Sequence, residues 1–236
     1  MKNIYIFLYF FSVFIVAENY EPFESTYEPL PPTNTIFRNA NIYDGEGNEL
    51  IDTDLIIKDG KVVAIGVDLP SSSDLKEIDA TDKWITPGII DIHSHMGVYP
   101  APSVKTSSDG NEATSPVTAE VWAEHSIWVQ DPQYALALKG GVTTFHVLPG
   151  SANLIGGRGV TAKNLQRNTI NSMKFPNAPH SLKMACGENP KRVYGGRNSE
   201  PSTRMGNVAG YRNAWIEAQA YQRRLKEYAE KSEEAK

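Results

Sequence analysis

The sequence contains a single cysteine, Cys186, so the chain cannot form an internal disulfide. It also has no excess of basic residues, because 23 Lys and Arg stand against 28 Asp and Glu and give a net charge of −5. Proteins that bind nucleic acid usually present a basic face. The sequence therefore excludes a disulfide-stabilised domain and argues against nucleic acid as a partner.

Long apolar runs are scarce, and the clearest one lies at the N-terminus. Residues 4–17 read IYIFLYFFSVFIVA and follow a lysine, but the run is short for a membrane span of roughly 20 residues. This pattern is typical of a secretory signal peptide over residues 1–17, with an uncleaved anchor as the alternative. We therefore expect an exported protein, periplasmic or secreted. Its mature chain would start near Glu18 with an extended, proline-rich linker over residues 18–34.

Two regions with different patterns follow the linker. Residues 35–82 alternate short apolar runs with turns, and the Asp59-Gly60 pair between two such runs predicts a β-hairpin. This region is too short to be a stable domain alone, so we expect it to pack on another part of the protein. Over residues 83–236, predicted strands alternate with predicted helices, which indicates parallel strands and an α/β fold.

The elements of the second region can be placed from local signals. Ser115 and the proline after it predict the start of a helix that runs to Trp128, and a second helix is predicted from Asp131 to Lys139. Residues 142–148 form a β-branched strand, and the glycine-rich run at 155–159 predicts a tight turn. Further predicted elements are one strand over residues 84–92, another over residues 181–187 and a long helix from about Asn207.

The strongest chemical feature is the run IIDIHSH at residues 89–95. A strand repeats every two residues, so His93 and His95 point to the same side of the sheet. Two imidazoles on one face can bind one divalent cation. In a barrel of parallel strands, catalytic groups lie at this C-terminal end of the strand.

The longer run ITPGIIDIHSH, at residues 85–95, resembles the first barrel strand of the amidohydrolase superfamily. The preceding runs NANIYDG and LIIKDGKVVAIG, which begin at Asn39 and Leu55, resemble the small β-sandwich that precedes this strand in many members. Later runs resemble bacterial members often termed imidazolonepropionase-like; they are DGNEAT, LIGGRG and MACGENPKRVY, at residues 109–114, 154–159 and 184–194.

This resemblance implies a composite fold, in which the β-sandwich is followed by a TIM-like (β/α) barrel whose first half occupies residues 83–236. It implies a metal-dependent hydrolase that cleaves C–N bonds in a small-molecule amide, cyclic amide or peptide-like substrate. It also implies a divalent metal, most often zinc, bound by His93 and His95, which lowers the pKa of bound water and polarises the substrate carbonyl.

The resemblance further implies a third metal ligand at the end of the fourth barrel strand, and two residues compete for this role. Glu188 is an anionic ligand that needs no modification, but it has the opposite strand parity and would need a bend to turn inward. Lys183 points into the barrel if Leu182 and Met184 pack on helices, and it could bridge two metals as a carbamate.

Two further residues are candidates for substrate binding. His146 lies on the predicted strand over residues 142–148, where it is either a hydrogen-bonded core histidine or part of the pocket lining. Arg158 could meet an anionic substrate, although a solvated charge in a loop is the simpler interpretation.

Part of the family's site has no counterpart in this sequence. The family also uses histidines from the fifth and sixth strands and an aspartate from the eighth as general base, whereas no histidine follows His180 here. We therefore expect an N-terminal fragment of the enzyme, which would need the missing C-terminal barrel half or a second copy of itself. The alternatives are a non-catalytic fragment, that is a pseudoenzyme or binding module, and a surface-anchored interaction protein that uses the sandwich.

Overall fold

A computed structural model describes residues 23–234 of the chain. The predicted signal peptide and the first residues of the linker lie outside the described residues. Within residues 23–234, no helix combines the length and the apolar character that crossing a membrane requires.

The first sheet is mixed and has five strands. These are β1 (Thr35–Tyr43), β2 (Glu49–Lys58), β3 (Lys61–Gly66), β4 (Lys76–Asp79) and β5 (Trp84–Ile85). Strands β1 and β3 flank β2 in antiparallel pairs, while β4 and β5 both pair with β1 in parallel. The hairpin predicted at Asp59-Gly60 is confirmed, because β2 and β3 pair across that turn.

The first sheet is held by a small apolar cluster and by one buried carboxylate. Ala40, Ile42 and Leu55 are buried together in the cluster. Beside it, the buried Asp54 accepts hydrogen bonds from the guanidinium of Arg38 at 2.7 Å and from the backbone N–H of Asn39 at 3.0 Å. These bonds fix the backbone where the pairing of β1 with β2 changes register.

The second sheet has four strands and carries the predicted metal ligands. They are β6 (Ile89–Ser94), β7 (Val142–Val147), β8 (Ile155–Lys163) and β9 (Ser181–Met184), in that order across the sheet. The strand predicted over residues 84–92, with a Pro-Gly break near its start, is divided at that break, and its two parts belong to different sheets, β5 to the first and β6 to the second.

The strand directions in the second sheet bring the C-terminal ends of three strands to one edge. Strands β6 and β7 are parallel, whereas β8 is antiparallel to both β7 and β9. Strand β9 therefore runs in the same direction as β6 and β7, and these three end at the same edge. The reversed strand β8 brings its first residues to that edge, a departure from the uniformly parallel order that the sequence predicts.

The helix predicted from Ser115 to Trp128 is wrong. This segment runs beside β8 instead, where the N–H of Thr118 donates to the carbonyl of Ile155 and the N–H of Arg158 donates to the carbonyl of Val121, both at 2.8 Å. Only a 3₁₀ turn, Ala123–Ser126, is helical. Backbone hydrogen bonds to a neighbouring strand have replaced those that a helix would make within itself.

The tight turn predicted at residues 155–159 is also wrong, because this run is the first half of β8. Its glycines serve close packing. A Cβ on Gly157 would lie 2.6 Å from the carbonyl oxygen of Val121, and a Cβ on Gly159 would lie 2.8 Å from that of Val147. Gly157 also has a φ of +108°, which side-chain-bearing residues rarely adopt.

Three α-helices complete the described chain: α1 (Gln133–Lys139), α2 (Glu188–Gly195) and α3 (Arg204–Glu234). The helices predicted near residues 131–139 and from about Asn207 are confirmed, whereas α2 is not predicted by the sequence patterns. The mixed sheets and few helices give an α/β architecture. The apolar core beside the second sheet contains Phe145, Val147 and Ala162 from the sheet, and Tyr134 from α1.

The later part of the predicted linker is docked on the second region. The hydroxyl of Ser25 donates to the carbonyl of Lys174 at 2.8 Å, and the N–H of Thr26 donates to the carbonyl of Asn171 at 2.9 Å. The ammonium of Lys174 also donates to the carbonyl of Phe23 and forms a buried ion pair with Glu124 at 2.8 Å. Three hydrogen bonds, made by Phe23, Ser25 and Thr26, thus hold this segment on the body of the protein.

We predict that Gly157→Ala strongly destabilises the protein. The unusual backbone conformation costs about 1–3 kcal/mol in a residue with a side chain, and the contact with Val121 adds to that cost. Gly47→Ala is the matched control, because Gly47 has a φ of +99° but no atom within 4 Å of a Cβ. Urea denaturation should show a clearly larger loss of unfolding free energy for Gly157→Ala; equal losses would contradict the packing role of Gly157.

Candidate metal centre

His93 and His95 stand together at the end of β6. Their ring centroids are 5.2 Å apart and the ring planes are nearly perpendicular. Nδ1 of His95 lies 2.9 Å from the carbonyl oxygen of Leu148, the residue that follows β7. A hydrogen bond from Nδ1–H to this carbonyl leaves Nε2 of His95 with a lone pair, which is the form that binds a metal.

Lys183 joins the two histidines from the far strand of the sheet. Its side chain is buried, and its Nζ lies 3.4 Å from Nε2 of His93. Nζ also donates a hydrogen bond of 3.0 Å to the carbonyl of Pro149. Lys183 is paired with Gly157 across β8 and β9.

The electrostatics of the cluster favour neutral nitrogen atoms. Burial lowers the pKa of His95 below its ordinary value, and the nearby positive charges of Lys183 and His93 lower it further. Burial also lowers the pKa of the Lys183 ammonium. Neutral imidazole is the metal-binding form of histidine, and a neutral amine is the nucleophilic form of lysine.

Glu188, the other candidate for third ligand, lies away from the cluster. Strand β9 ends at Met184, and Glu188 opens helix α2 with its side chain largely exposed. Its carboxylate pairs with the guanidinium of Arg192 one helical turn later, at 3.0 Å. The structure thus brings Lys183, and not Glu188, next to the histidines.

His146 lies on the same face of the sheet as Lys183, in a polar layer. Its Nδ1 lies 2.8 Å from the hydroxyl of Thr161, and its Nε2 lies 2.6 Å from the hydroxyl of Ser181. Burial lowers the pKa of His146, and the charges of His180 and His93 act in the same direction. A neutral imidazole with a hydroxyl at each nitrogen is the hydrogen-bonded core histidine that the sequence left open.

Arg158 is separated from this layer by the alternation of β8. It is paired with Leu182, one residue before Lys183, and its guanidinium lies 4.4 Å from the ring centroid of Trp122. Arg158 therefore faces away from the histidines in this sheet, so a role in binding substrate at the cluster has no support from its position.

Sequence patterns missed the backbone carbonyls of Leu148 and Pro149, which hold His95 and Lys183. Their only sequence signal is a proline directly after a predicted strand. Within residues 23–234, no three His, Cys, Asp or Glu side chains are grouped so that they could hold a metal ion. Two imidazole nitrogens and one buried amine fit a divalent metal only if the amine is converted into an anionic ligand.

We predict that Lys183 makes stability depend on pH. Its pKa is lower in the folded protein than its ordinary value of 10.5, so the unfolded chain binds more protons just below that value. Stability should therefore rise as pH approaches 10.5 from below, and Lys183→Met should lose this rise. Lys139→Met, at an exposed position, should keep it. Urea midpoints with a chelator present measure the effect, and identical pH curves for both variants would refute it.

No family model matches the chain, but comparisons with known proteins identify several relatives. The chain is 32% identical over 226 residues to the amidohydrolase tasK of Hapsidospora irregularis, with 85% of this chain and 23% of that protein covered. It is 40% identical over 63 residues to the dihydroorotase of Ligilactobacillus salivarius, with 26% of this chain and 14% of that protein covered.

A solved structure gives the same result for the fold. The amidohydrolase from Thermotoga maritima MSB8 superposes with a TM-score of 0.74 and 38% sequence identity, over 81% of this chain and 49% of that one. The chain thus spans about half the length of this solved relative and a smaller share of the curated relatives. These relatives show that the chain belongs to the amidohydrolase superfamily. The pair His93-x-His95 at a strand end and the buried Lys183 agree with this.

Proposed function

We propose that this chain supplies the first part of a metal-dependent hydrolase that cleaves C–N bonds in a small-molecule amide, cyclic amide or peptide-like substrate. The observation that carries the proposal is the meeting of His93, His95 and Lys183 at one edge of the sheet. The relatives named amidohydrolase and dihydroorotase support this reaction class. The imidazolonepropionase-like subtype, suggested by the sequence runs, is part of the proposal.

The metal that we propose is a divalent ion, namely zinc, since imidazole nitrogen is one of the preferred ligands of zinc. His93 and His95 would hold it through their ring nitrogens. When bound, the ion would supply Lewis-acid activation of water and of the substrate carbonyl. The histidines are oriented by the protein itself, because the Leu148 carbonyl fixes the ring of His95.

Lys183 would complete the ligand set as a carbamate. In that reaction the ammonium first loses a proton to solvent. The neutral amine then attacks carbon dioxide, so that an N–C bond forms while one C–O π bond breaks, and a second proton leaves to solvent. The cation thus becomes an anion with the loss of two protons. Burial prepares Lys183 for this change because it lowers the pKa of the ammonium and so raises the share of neutral amine. Glu188 would need a rearrangement of helix α2 to take the same role.

We further propose that catalysis needs strands beyond the four of the second sheet. In the part of the chain that the structure describes, no three His, Cys, Asp or Glu side chains are grouped as a complete metal site, and the carboxylate of Asp91 on β6 accepts a hydrogen bond from the backbone N–H of His93. Strand β6 is an open edge, and Ile89, Ile90 and Ile92 on it are more than half exposed. Exposed apolar strands of this kind normally mark a contact surface. The remaining barrel half, or a second copy of the chain, would cover this edge.

We predict that the His93→Ala/His95→Ala double variant loses most of the zinc bound by the protein, because two of the three proposed ligands are gone. His125→Ala is the control, since His125 is an exposed histidine whose ring packs against Phe23. Elemental analysis after dialysis against a zinc buffer gives the measurement. An unchanged zinc content in the double variant would show that the metal centre is assigned to the wrong residues.

We also predict that residues 18–236 alone are oligomeric or poorly soluble and have no amidase activity, because the apolar edge is uncovered and a general base is absent from the cluster. Supplying the remaining barrel strands, as one chain or as a second polypeptide, should restore both solubility and turnover. Size-exclusion chromatography and an amidase assay with added zinc test this. A monomer with zinc-dependent turnover would refute the need for further strands.

A further inference from the structure

A cavity of about 280 Å³ lies beside the metal-ligand cluster. It is enclosed by the loop at residues 108–112, the segment at residues 121–126 and the turn after β7. Ligand pockets in proteins typically start at roughly 300 Å³, so this volume fits one end of a small molecule.

The cavity shares its wall with the cluster at two points. Pro149 lines the cavity, and its carbonyl accepts the hydrogen bond from Lys183. Asn111 also lines it and is hydrogen-bonded to the hydroxyl of Tyr99, whose ring lies 5.6 Å from that of His95. A molecule in the cavity is therefore separated from Lys183 by Pro149, and from His95 by the side chains of Asn111 and Tyr99.

The chemistry of the lining favours a positive charge. Asp109 and Glu112 line the cavity, and its lining contains no Lys, Arg or His. Neither carboxylate takes part in an ion pair described for residues 23–234.

Trp122 adds an aromatic wall. Its ring already carries one cation, the guanidinium of Arg158 at 4.4 Å from the centroid. Aromatic faces attract ammonium and guanidinium groups. Two unpaired carboxylates next to an indole ring form a lining that attracts cations and repels anions.

We propose that this cavity binds the positively charged ammonium or guanidinium end of a small-molecule substrate, which directs its scissile bond towards His93, His95 and Lys183. The catalytic meaning of this site rests on the hydrolase function proposed above, whereas the binding of the cation does not. The cavity would favour cationic amides over neutral or anionic ones.

The test uses a probe that has no bond to cleave, so that it is independent of the metal and of hydrolysis. Saturation-transfer NMR of n-butylammonium with the full chain measures binding and tolerates self-association of the protein, because it observes the free ligand. 1-Butanol is the neutral probe of similar size. We expect n-butylammonium to bind more tightly than 1-butanol, and added salt to weaken its binding because exposed charges are screened.

The matched variants are Asp109→Asn/Glu112→Gln, which removes the cavity charge, and Glu217→Gln, which removes a carboxylate from a different cavity on α3. The first should bind n-butylammonium about tenfold more weakly, the size of change that two exposed ion pairs produce. The second should bind it as the unchanged chain does. Equal binding of both probes by the unchanged chain, or equal binding of the ammonium by both variants, would overturn the proposal. Failure of the hydrolase assay alone would leave the measured binding in place.

Discussion

The contact between the buried amine of Lys183 and the ring of His93 joins the two outer strands of the second sheet. Lys183 and His93 belong to the two outer strands of the second sheet, and two strands separate them. Strand β8 runs against its neighbours and presents Gly157 opposite Lys183. A Cβ on Gly157 would meet Val121, so the missing side chain lets the segment at residue 121 pack closely on the strand that is paired with Lys183.

The carbonyls at the end of β7 join the two halves of the cluster. Leu148 accepts from His95 and Pro149 accepts from Lys183, so consecutive residues orient groups from β6 and from β9. Backbone carbonyls are fixed by the strand that precedes them, and they cost no side-chain entropy when they hold a ligand in place. This arrangement orients His95 and Lys183 within the fold itself, which is what a precise metal site would require.

Local patterns predicted the parts of this structure that depend on neighbours in sequence. The hairpin at Asp59-Gly60, helix α1 and the shared face of His93 and His95 follow from turn chemistry and strand alternation, and they are present. The patterns failed where distant segments compete. The helix signal at Ser115 lost to hydrogen bonds with β8, and the glycines of β8 looked like a turn because their packing partners lie in other segments. Lys183 and Glu188 could not be separated for the same reason, since the end of β9 and the start of α2 decide which side chain faces the histidines.

The polar groups of the second sheet make their contacts within the sheet itself. The cluster ligands and the layer formed by His146, Thr161 and Ser181 all lie on a face that a closed barrel would enclose. Barrel interiors are usually filled by branched apolar side chains, yet here the described face is polar and satisfies its own hydrogen bonds within four strands. Its ligand geometry is therefore set locally, by contacts between β6, β7, β8 and β9. The hydrolysis that we propose would add to this local geometry the groups of whatever packs against the open edge of β6.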